Sequence, residues 1–393
     1  MGVSSYRGMC GLAAEHPGGP DLLAGVARPA PHGEAGALRR DVGAWLVASG
    51  VLGGDVQGFL AQGHLDLVAE AWGDVPRGPR LVAAAKWLVL TWILDDRFDD
   101  QWIGRPVTAA RRTVRALTDV LDGGSGVDSD SVPGGGSDGV PDGVPGGGLD
   151  GASDGGWDGI EPPGDALVEA FAVLWRETVE LTPPQWRARY AAYFRAYLDT
   201  SLGYLDEASL RDTAFRDTAF RDTAFRDAPF RDTPFHDLGA GAVQTVPEYL
   251  RRRDQDGAVS CAAGWIELAH GLDLADEVFR HPRVADLLMR FNHVVCWVND
   301  LYSAEGESAA GNGKNLLRSF TVHEGLAPQE ASDRLGALCE AESTTLEFLA
   351  DGIARDPSSP GEVRAFALGL VRFTRALIHW TATAARYRTE SPR

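Results

Sequence analysis

The sequence predicts an all-α fold. Apolar residues recur at spacings of three and four through most of the chain, the pattern of helices packed on one face. No segment shows the two-residue alternation of a half-buried strand. Prolines stand where a first helical turn tolerates them, as at Pro183 and Pro247. A hydrophobic content of 44% is ample for a core, and 11 tryptophans add aromatic bulk for a core or a cavity. The chain has 393 residues, of which two low-complexity segments remove enough to leave roughly 300 that fold, one large domain or two small ones.

In order along the chain, residues 1–35 are rich in Gly, Pro and Ala and read as a flexible N-terminal arm; a single domain is expected over 36–393. Residues 41–52 form a first helix on Val42, Trp45 and Leu46, and 64–72 a second. Residues 81–94 read as a buried helix, with Leu81, Ala84, Ala85, Leu88 and Trp92 on one stripe and no Gly or Pro to interrupt it. Residues 107–121 carry Val114, Leu117, Val120 and Leu121 on one side. Residues 122–164 are mostly Gly, Asp, Ser and Pro, too poor in apolar residues to offset the entropy of ordering, and read as a disordered insert. Helices resume at 165–181 and 183–210. A pentapeptide then repeats from Arg211, Arg216 and Arg221, and in drifted form from Arg226 and Arg231. A period of five matches neither helix nor strand. The repeat is read as an expansion tolerated in a second insert, 211–240, with a lid or an oligomerising strip of Phe residues as the alternative. Helices follow at 247–257, 258–271, 275–308, 328–351 and 361–389.

Two polar clusters stand at the ends of apolar helices. Asp95, Asp96, Asp99 and Asp100 crowd the end of the helix over 81–94, where the macrodipole already presents carbonyl oxygens. Asp95 and Asp99, four apart, project from one helical face and repel, and a hard cation such as Mg²⁺ relieves that repulsion. The cluster reads equally well as a solvated helix end with Arg97 as internal counterion. In the second cluster, Asn299, Ser303 and Glu307 are spaced by four and four, so an amide, a hydroxyl and a carboxylate share one face. The alternative there is that Asn299 and Ser303 bond back to the helix and Glu307 is solvated.

As a set these residues resemble the class I terpene synthases, in particular the bacterial enzymes. The segment from Asp95 to Asp99 resembles their aspartate-rich motif, and Asn299, Ser303 and Glu307 match their second metal motif. Arg253, followed by Asp256 and Gly257, resembles the diphosphate-sensing Arg with its linker and effector; Trp380, Arg386 and Tyr387 resemble the pocket Trp and the terminal Arg-Tyr pair. A basic residue often precedes the final Glu of the second motif; here Gly306 stands there, and Lys314 or Arg318 is a substitute. The resemblance implies a helical bundle around a central apolar cavity. It implies Mg²⁺ held by Asp95, Asp99, Asn299, Ser303 and Glu307, three ions in all with Mn²⁺ as the alternative. Arg253, Arg386 and Tyr387, joined by Lys314, are expected on the diphosphate, and Trp92, Phe98 and Trp380, with Trp297 as a further candidate, around the hydrocarbon.

The implied reaction is ionisation and cyclisation of a linear prenyl diphosphate. The C15 substrate, farnesyl diphosphate, is favoured over the C20 geranylgeranyl diphosphate. A chain-elongating prenyltransferase is disfavoured because the second motif is Asn/Ser/Glu rather than Asp-rich. A non-catalytic helical scaffold would leave the paired motifs unexplained. A net charge of −19, from 37 basic and 56 acidic residues, argues against nucleic acid and anionic membranes as partners. Homodimerisation is compatible with the sequence. Four scattered cysteines without metal-ligand spacing, no signal-like segment and no membrane-length apolar run lead to the expectation of a cytoplasmic protein with reduced thiols.

Overall fold

The computed structural model describes residues 28–102, 107–123, 165–221, 243–309 and 314–387; within these the side chains of 99–100, 206–221, 254–256 and 305–309 are set aside. Every regular element among the described residues is helical. Helix α1 spans Ala35–Ser49 and ends on Gly50, whose φ of 64° is the left-handed C-cap that glycine adopts without strain. Short α2, Val56–Ala61, is capped by Asp55, and α3 covers His64–Ala71. Helix α4, Pro79–Asp96, starts on a proline and carries the long apolar run. It passes directly into a π-helical turn, Arg97–Gln101, and α5 follows at Thr108–Leu121. Beyond lie α6, Ala166–Leu181, and α7, Pro184–Arg221.

Helix α8, Val246–Asp256, opens on a capping box in which Thr245 and Glu248 satisfy each other. After a break at Gly257 and Ala258 comes α9, Val259–His270. Short α10, Asp276–Arg280, and long α11, Pro282–Ala309, are separated at His281, which the following Pro282 holds in extended backbone. Helices α12, Leu316–His323, α13, Pro328–Arg355, and α14, Gly361–Thr383, lead to a 3₁₀ turn at Ala385–Tyr387.

Helix α9 is the axis of the bundle. It is apolar nearly all round, and it packs against α4, α7, α11 and α14. Around it α4 packs on α6, α6 on α5, α11 on α13, and α13 on α14, which closes the ring back through α3. One side of the ring is an aromatic seam: Trp87 meets Phe171, Trp175, Tyr190 and Phe194 edge-on or tilted at 5.1–6.3 Å.

Three expectations change. The N-terminal arm is tied down from Arg28 onward: Arg28 pairs with buried Glu70 at 2.5 Å, and His32 bonds Ala69 and Val75. Helix α7 runs on to Arg221 rather than ending near Leu210, so the first pentapeptides continue a helix. The single helix expected over 275–308 is two, and α2 and α12 were not foreseen. Residues 1–27, the bulk of the first insert and the second insert beyond Arg221 lie outside the described residues.

Candidate active site

The ends of α4 and α11 and the α8–α9 break meet at one cleft. It encloses about 680 Å³ of empty space when the open solvent at its mouth is included. Asp95, Arg253 and Asn299 are its charged and amide lining, with Thr91 and Cys296 as further polar side chains. The rest of the wall is Leu67, Leu88, Trp92, Trp265, Phe373 and Leu377, with small residues of α9 between them. The apolar well comes from the long apolar run of α4 and the buried face of α9, while α8 and α11 bring Arg253 and Asn299 to its mouth.

Arg253 is held by a polar hub. One Nη2 donates to Asp300 Oδ1 at 2.8 Å and to Asn299 Oδ1 at 3.1 Å, and Nε donates to the Tyr249 hydroxyl at 3.2 Å. Asp300 is fully buried (0% exposed), and its second oxygen accepts from the Leu316 backbone N–H at 2.7 Å. A buried carboxylate is tolerated only when its oxygens are satisfied in this way. Burial, with the charge of Asp300 beside it, pushes the Tyr249 hydroxyl pKa well up, so this phenol stays protonated. The Asn299 amide is oriented at both ends: Oδ1 accepts from Arg253, and Nδ2 donates to the Tyr387 hydroxyl at 2.9 Å.

Arg386 forms a second fork. Its Nη2 and Nη1 donate to the two oxygens of Asp96 at 2.6 and 3.3 Å, and Nη1 also donates to Gln62 at 3.1 Å. The guanidinium lies 4.6 Å over the Trp92 ring, a cation–π contact. Burial alone would lower the Arg386 pKa, but Asp96 outweighs it and raises the value above that of a free arginine. Behind Trp92 stand Trp380 at 5.6 Å and His64 at 5.4 Å between ring centroids. His64, 1% exposed, stacks on Phe59 at 4.5 Å. Burial, with Arg386 nearby, drops its pKa to about 3, so the imidazole is neutral.

The break between α8 and α9 differs in detail from expectation. Gly257 has φ −75°, and the left-handed residue is Ala258 at φ 52°. Glycine is needed at 257 for space: a Cβ there would lie 2.7 Å from Cys296 Sγ.

Of the residues singled out from sequence, Asp95, Trp92, Arg253, Gly257 and Asn299 come together on the cleft. Ser303 lies one turn beyond Asn299 on α11, partly buried. Phe98 does not line the cleft; it is buried against Trp102 and Tyr197, because the π turn rotates it toward α7. Trp380 is a second layer behind Trp92, its indole N–H donating to Gly63 O at 2.8 Å. Trp297 stacks on His293 at 4.5 Å instead of lining the cleft. Lys314 Nζ sits 4.7 Å over the Tyr204 ring, which Arg252 approaches at 5.4 Å. Arg97 is drawn away from the acidic cluster to Asp165 at 3.0 Å, the N-cap of α6. The side chains of Asp99, Asp256 and Glu307 lie outside the described residues.

Sequence reasoning missed Asp300, Cys296 and Trp265. Asp300 stands beside a metal-motif residue, and only the fold turns it inward toward Asn315 and Leu316. Cys296 and Trp265 are apolar-face positions indistinguishable from ordinary core.

Residues 235–344 match the family described as terpene synthase family 2, C-terminal metal binding. Sesquiterpene synthase Agr1 of Cyclocybe aegerita is 31% identical over 159 residues, 40% of this chain and 46% of the relative. The 4-epi-cubebol synthase of Streptosporangium roseum is 29% identical over 150 residues, 37% of this chain and 44% of the relative. Each of these matches thus spans less than half the relative's length. Among solved structures, wild-type cucumene synthase superposes with a TM-score of 0.61 at 20% identity, covering 90% of this chain and 97% of that one. Hedycaryol synthase in complex with nerolidol gives 0.59 at 18% identity, covering 90% and 95%. The fold is that of the class I terpenoid synthases, and residues 235–344 are similar to the metal-binding region of terpene synthase family 2.

Proposed function

We propose that this protein is a terpene cyclase of the bacterial class I kind, which ionises a linear prenyl diphosphate and folds the resulting cation into a cyclic hydrocarbon, releasing diphosphate. Farnesyl diphosphate is the substrate favoured, since the named relatives include sesquiterpene synthases and a farnesyl diphosphate cyclising enzyme. The observation that carries the reading is the meeting of Asp95, Arg253 and Asn299 at one apolar cleft.

The residues present fit a divalent metal. Asp95, Asn299 and Ser303 offer hard oxygen donors of three kinds, and Asn299 Oδ1 already accepts from a cationic group, Arg253. Asp95 with Asp99, and Asn299 with Ser303 and Glu307, would hold Mg²⁺, three ions in all, or Mn²⁺ in its place. When bound, the metal supplies Lewis-acid neutralisation of the departing diphosphate.

The protein's own groups do the rest. Arg253 reaches the mouth on a helix that breaks one turn later, so an anion that draws its guanidinium also pulls on the Asp256-Gly257 turn. Arg386 uses three N–H contacts on Asp96 and Gln62, which leaves Nε and one Nη2 proton for phosphate oxygens. Tyr387 holds the Asn299 amide in register and adds a hydroxyl beside it. Lys314, one short stretch after the second motif, adds positive charge on the α11–α12 connection. The deeper wall is mostly apolar, with Thr91 and Cys296 its polar side chains below Asp95, Arg253 and Asn299, and its aromatic faces, Trp92, Trp265 and Phe373, each stabilise a cation by ~0.5–2 kcal/mol.

The test is incubation with farnesyl or geranylgeranyl diphosphate and Mg²⁺, with analysis of the hydrocarbon extract and of the remaining diphosphates. A cyclic C15 product with one inorganic diphosphate released per turnover is expected. Longer linear diphosphates would mean chain elongation; no reaction with either substrate would reject the reading.

A further inference from the structure

Cys296 lies on α11 one turn before Asn299, buried, where the wall of the cleft meets the α8–α9 break. Its sulfur touches that break at two points. Sγ is 3.6 Å from the carbonyl oxygen of Arg253, in the last turn of α8. It also stands where a Cβ on Gly257 would come within 2.7 Å of it. A third contact anchors the thiol to its own helix, at 3.2 Å from Asn292 Oδ1.

These contacts fall at a strained place. The last carbonyls of a helix need partners from outside its own ladder. Just past the end of α8, Ala258 is held at φ 52°, a conformation that persists in a residue with a Cβ only when the surroundings enforce it. On the α11 side, the Cys296 sulfur is the atom nearest to the Cβ position of Gly257, the residue before Ala258. The thiol has one proton and two acceptors within reach, Asn292 Oδ1 and Arg253 O, so it can follow a movement of the α8 end without losing its hydrogen bond. A hydroxyl is smaller and would leave Gly257 unsupported; a branched side chain would push it outward.

We propose that Cys296 is a positioning residue: its sulfur sets how far the Gly257–Ala258 break projects into the cleft, and thereby the backbone surface against which the substrate's hydrocarbon chain folds. The inference rests on the cyclase reading above and adds to it a residue that acts on product choice through Gly257.

The experiment compares the parent with Cys296→Ser, Cys296→Ala, Gly257→Ala and the double variant Gly257→Ala/Cys296→Ala, using farnesyl diphosphate and Mg²⁺. Product composition, kcat, KM, inorganic diphosphate affinity and melting temperature are measured for each. Cys296→Ala is expected to change the ratio of products at least twofold, toward less cyclised ones, while diphosphate affinity stays within twofold of the parent. Gly257→Ala is expected to lower kcat at least tenfold, and the double variant to regain at least fivefold of it, because the new methyl occupies the space the sulfur vacates. A cysteine that merely fills the core would lower the melting temperature and leave product ratios alone. Unchanged product ratios in both Cys296 variants, or a double variant no faster than Gly257→Ala, overturns the inference. Should Gly257→Ala not fold, the product ratios of the two single Cys296 variants decide alone. A parent that releases no diphosphate from any prenyl diphosphate overturns the cyclase reading, and this inference with it; a parent that cyclises with unaltered Cys296 variants overturns this inference only.

Discussion

Arg253 Nη2 donates both to a carboxylate that never reaches water, Asp300, and to the Asn299 amide oxygen. Lysine at 253 would keep the charge and lose the planar donor set that holds Asp300 and Asn299 through Nη2 and Tyr249 through Nε. The expected outcome for Arg253→Lys is a turnover loss of at least a hundredfold with only a several-fold loss of inorganic diphosphate affinity, read by calorimetry and steady-state kinetics on the same protein. Equal losses would make Arg253 an ordinary ligand. Asp95 lines the cleft while Asp96 is committed to Arg386, so Asp95→Asn should cut turnover by orders of magnitude and leave the helical circular dichroism spectrum unchanged. His64 carries a pH signature. Its folded pKa of about 3 lies below the 6.5 of an unfolded histidine, so the folded state binds fewer protons between those values. The stability it allows is complete above pH 6.5 and is lost as pH falls through that window. At about 1.4 kcal/mol per unit, going from pH 6.5 to 5 costs roughly 2 kcal/mol. Urea unfolding at the two pH values should show that loss in the parent and a smaller one in His64→Gln; an equal loss in both would assign the acid sensitivity elsewhere. At this scale the sequence was legible where a motif fixes residue type and spacing, as at Asp95, Asn299 and Arg253. It was silent on Asp300 and Cys296, whose roles come from which side of α11 faces α8 and α12.

Among the elements, periodicity located the long helices well, because an apolar stripe is what buries them. It located their ends poorly. The α4 end passes into a π turn, with Trp102 N–H bonding Arg97 O, so the four-residue spacing of Asp95 and Asp99 no longer equals one α turn. The pentapeptide period suggested no helix, yet α7 carries its first units to Arg221. The first insert is bracketed by contacts that hold without it: Asp165 accepts from Arg97 and Thr113, and Arg195 pairs with Asp122. Thr113 and Leu121 are about 12 Å apart along α5. The five residues left by deleting 125–162 span about 20 Å at most, which is enough to reach Asp165. That deletion should leave soluble protein with at least half the parent turnover, measured as diphosphate release. A deletion of 222–235, placed beyond the end of α7, should do the same, whereas one starting at 216 would cut into the helix. Loss of soluble protein in the 125–162 deletion would show that the segment packs on the core.

At the scale of the whole molecule, α9 is a buried axis, and the polar ends of α4, α8 and α11 are gathered around its N-terminal end. The all-α class could be read from sequence because it depends only on period. The convergence could not, because it depends on which helices neighbour α9, and only the resemblance of the two motifs pointed to it. Cys261, Cys296 and Cys339 are buried and form no disulfide among the described residues, and no described helix is long and apolar enough to cross a membrane. The central claim is that the ends of α4 and α11 act on one diphosphate together with metal. It is tested most directly by calorimetric titration of inorganic diphosphate into the protein with and without Mg²⁺, for the parent, Asp95→Asn and Asn299→Ala. The account predicts tight binding only with Mg²⁺, and at least a tenfold loss in each variant although the two residues lie on different helices. Binding that is indifferent to Mg²⁺, or that responds to one of the two substitutions and not the other, would contradict it.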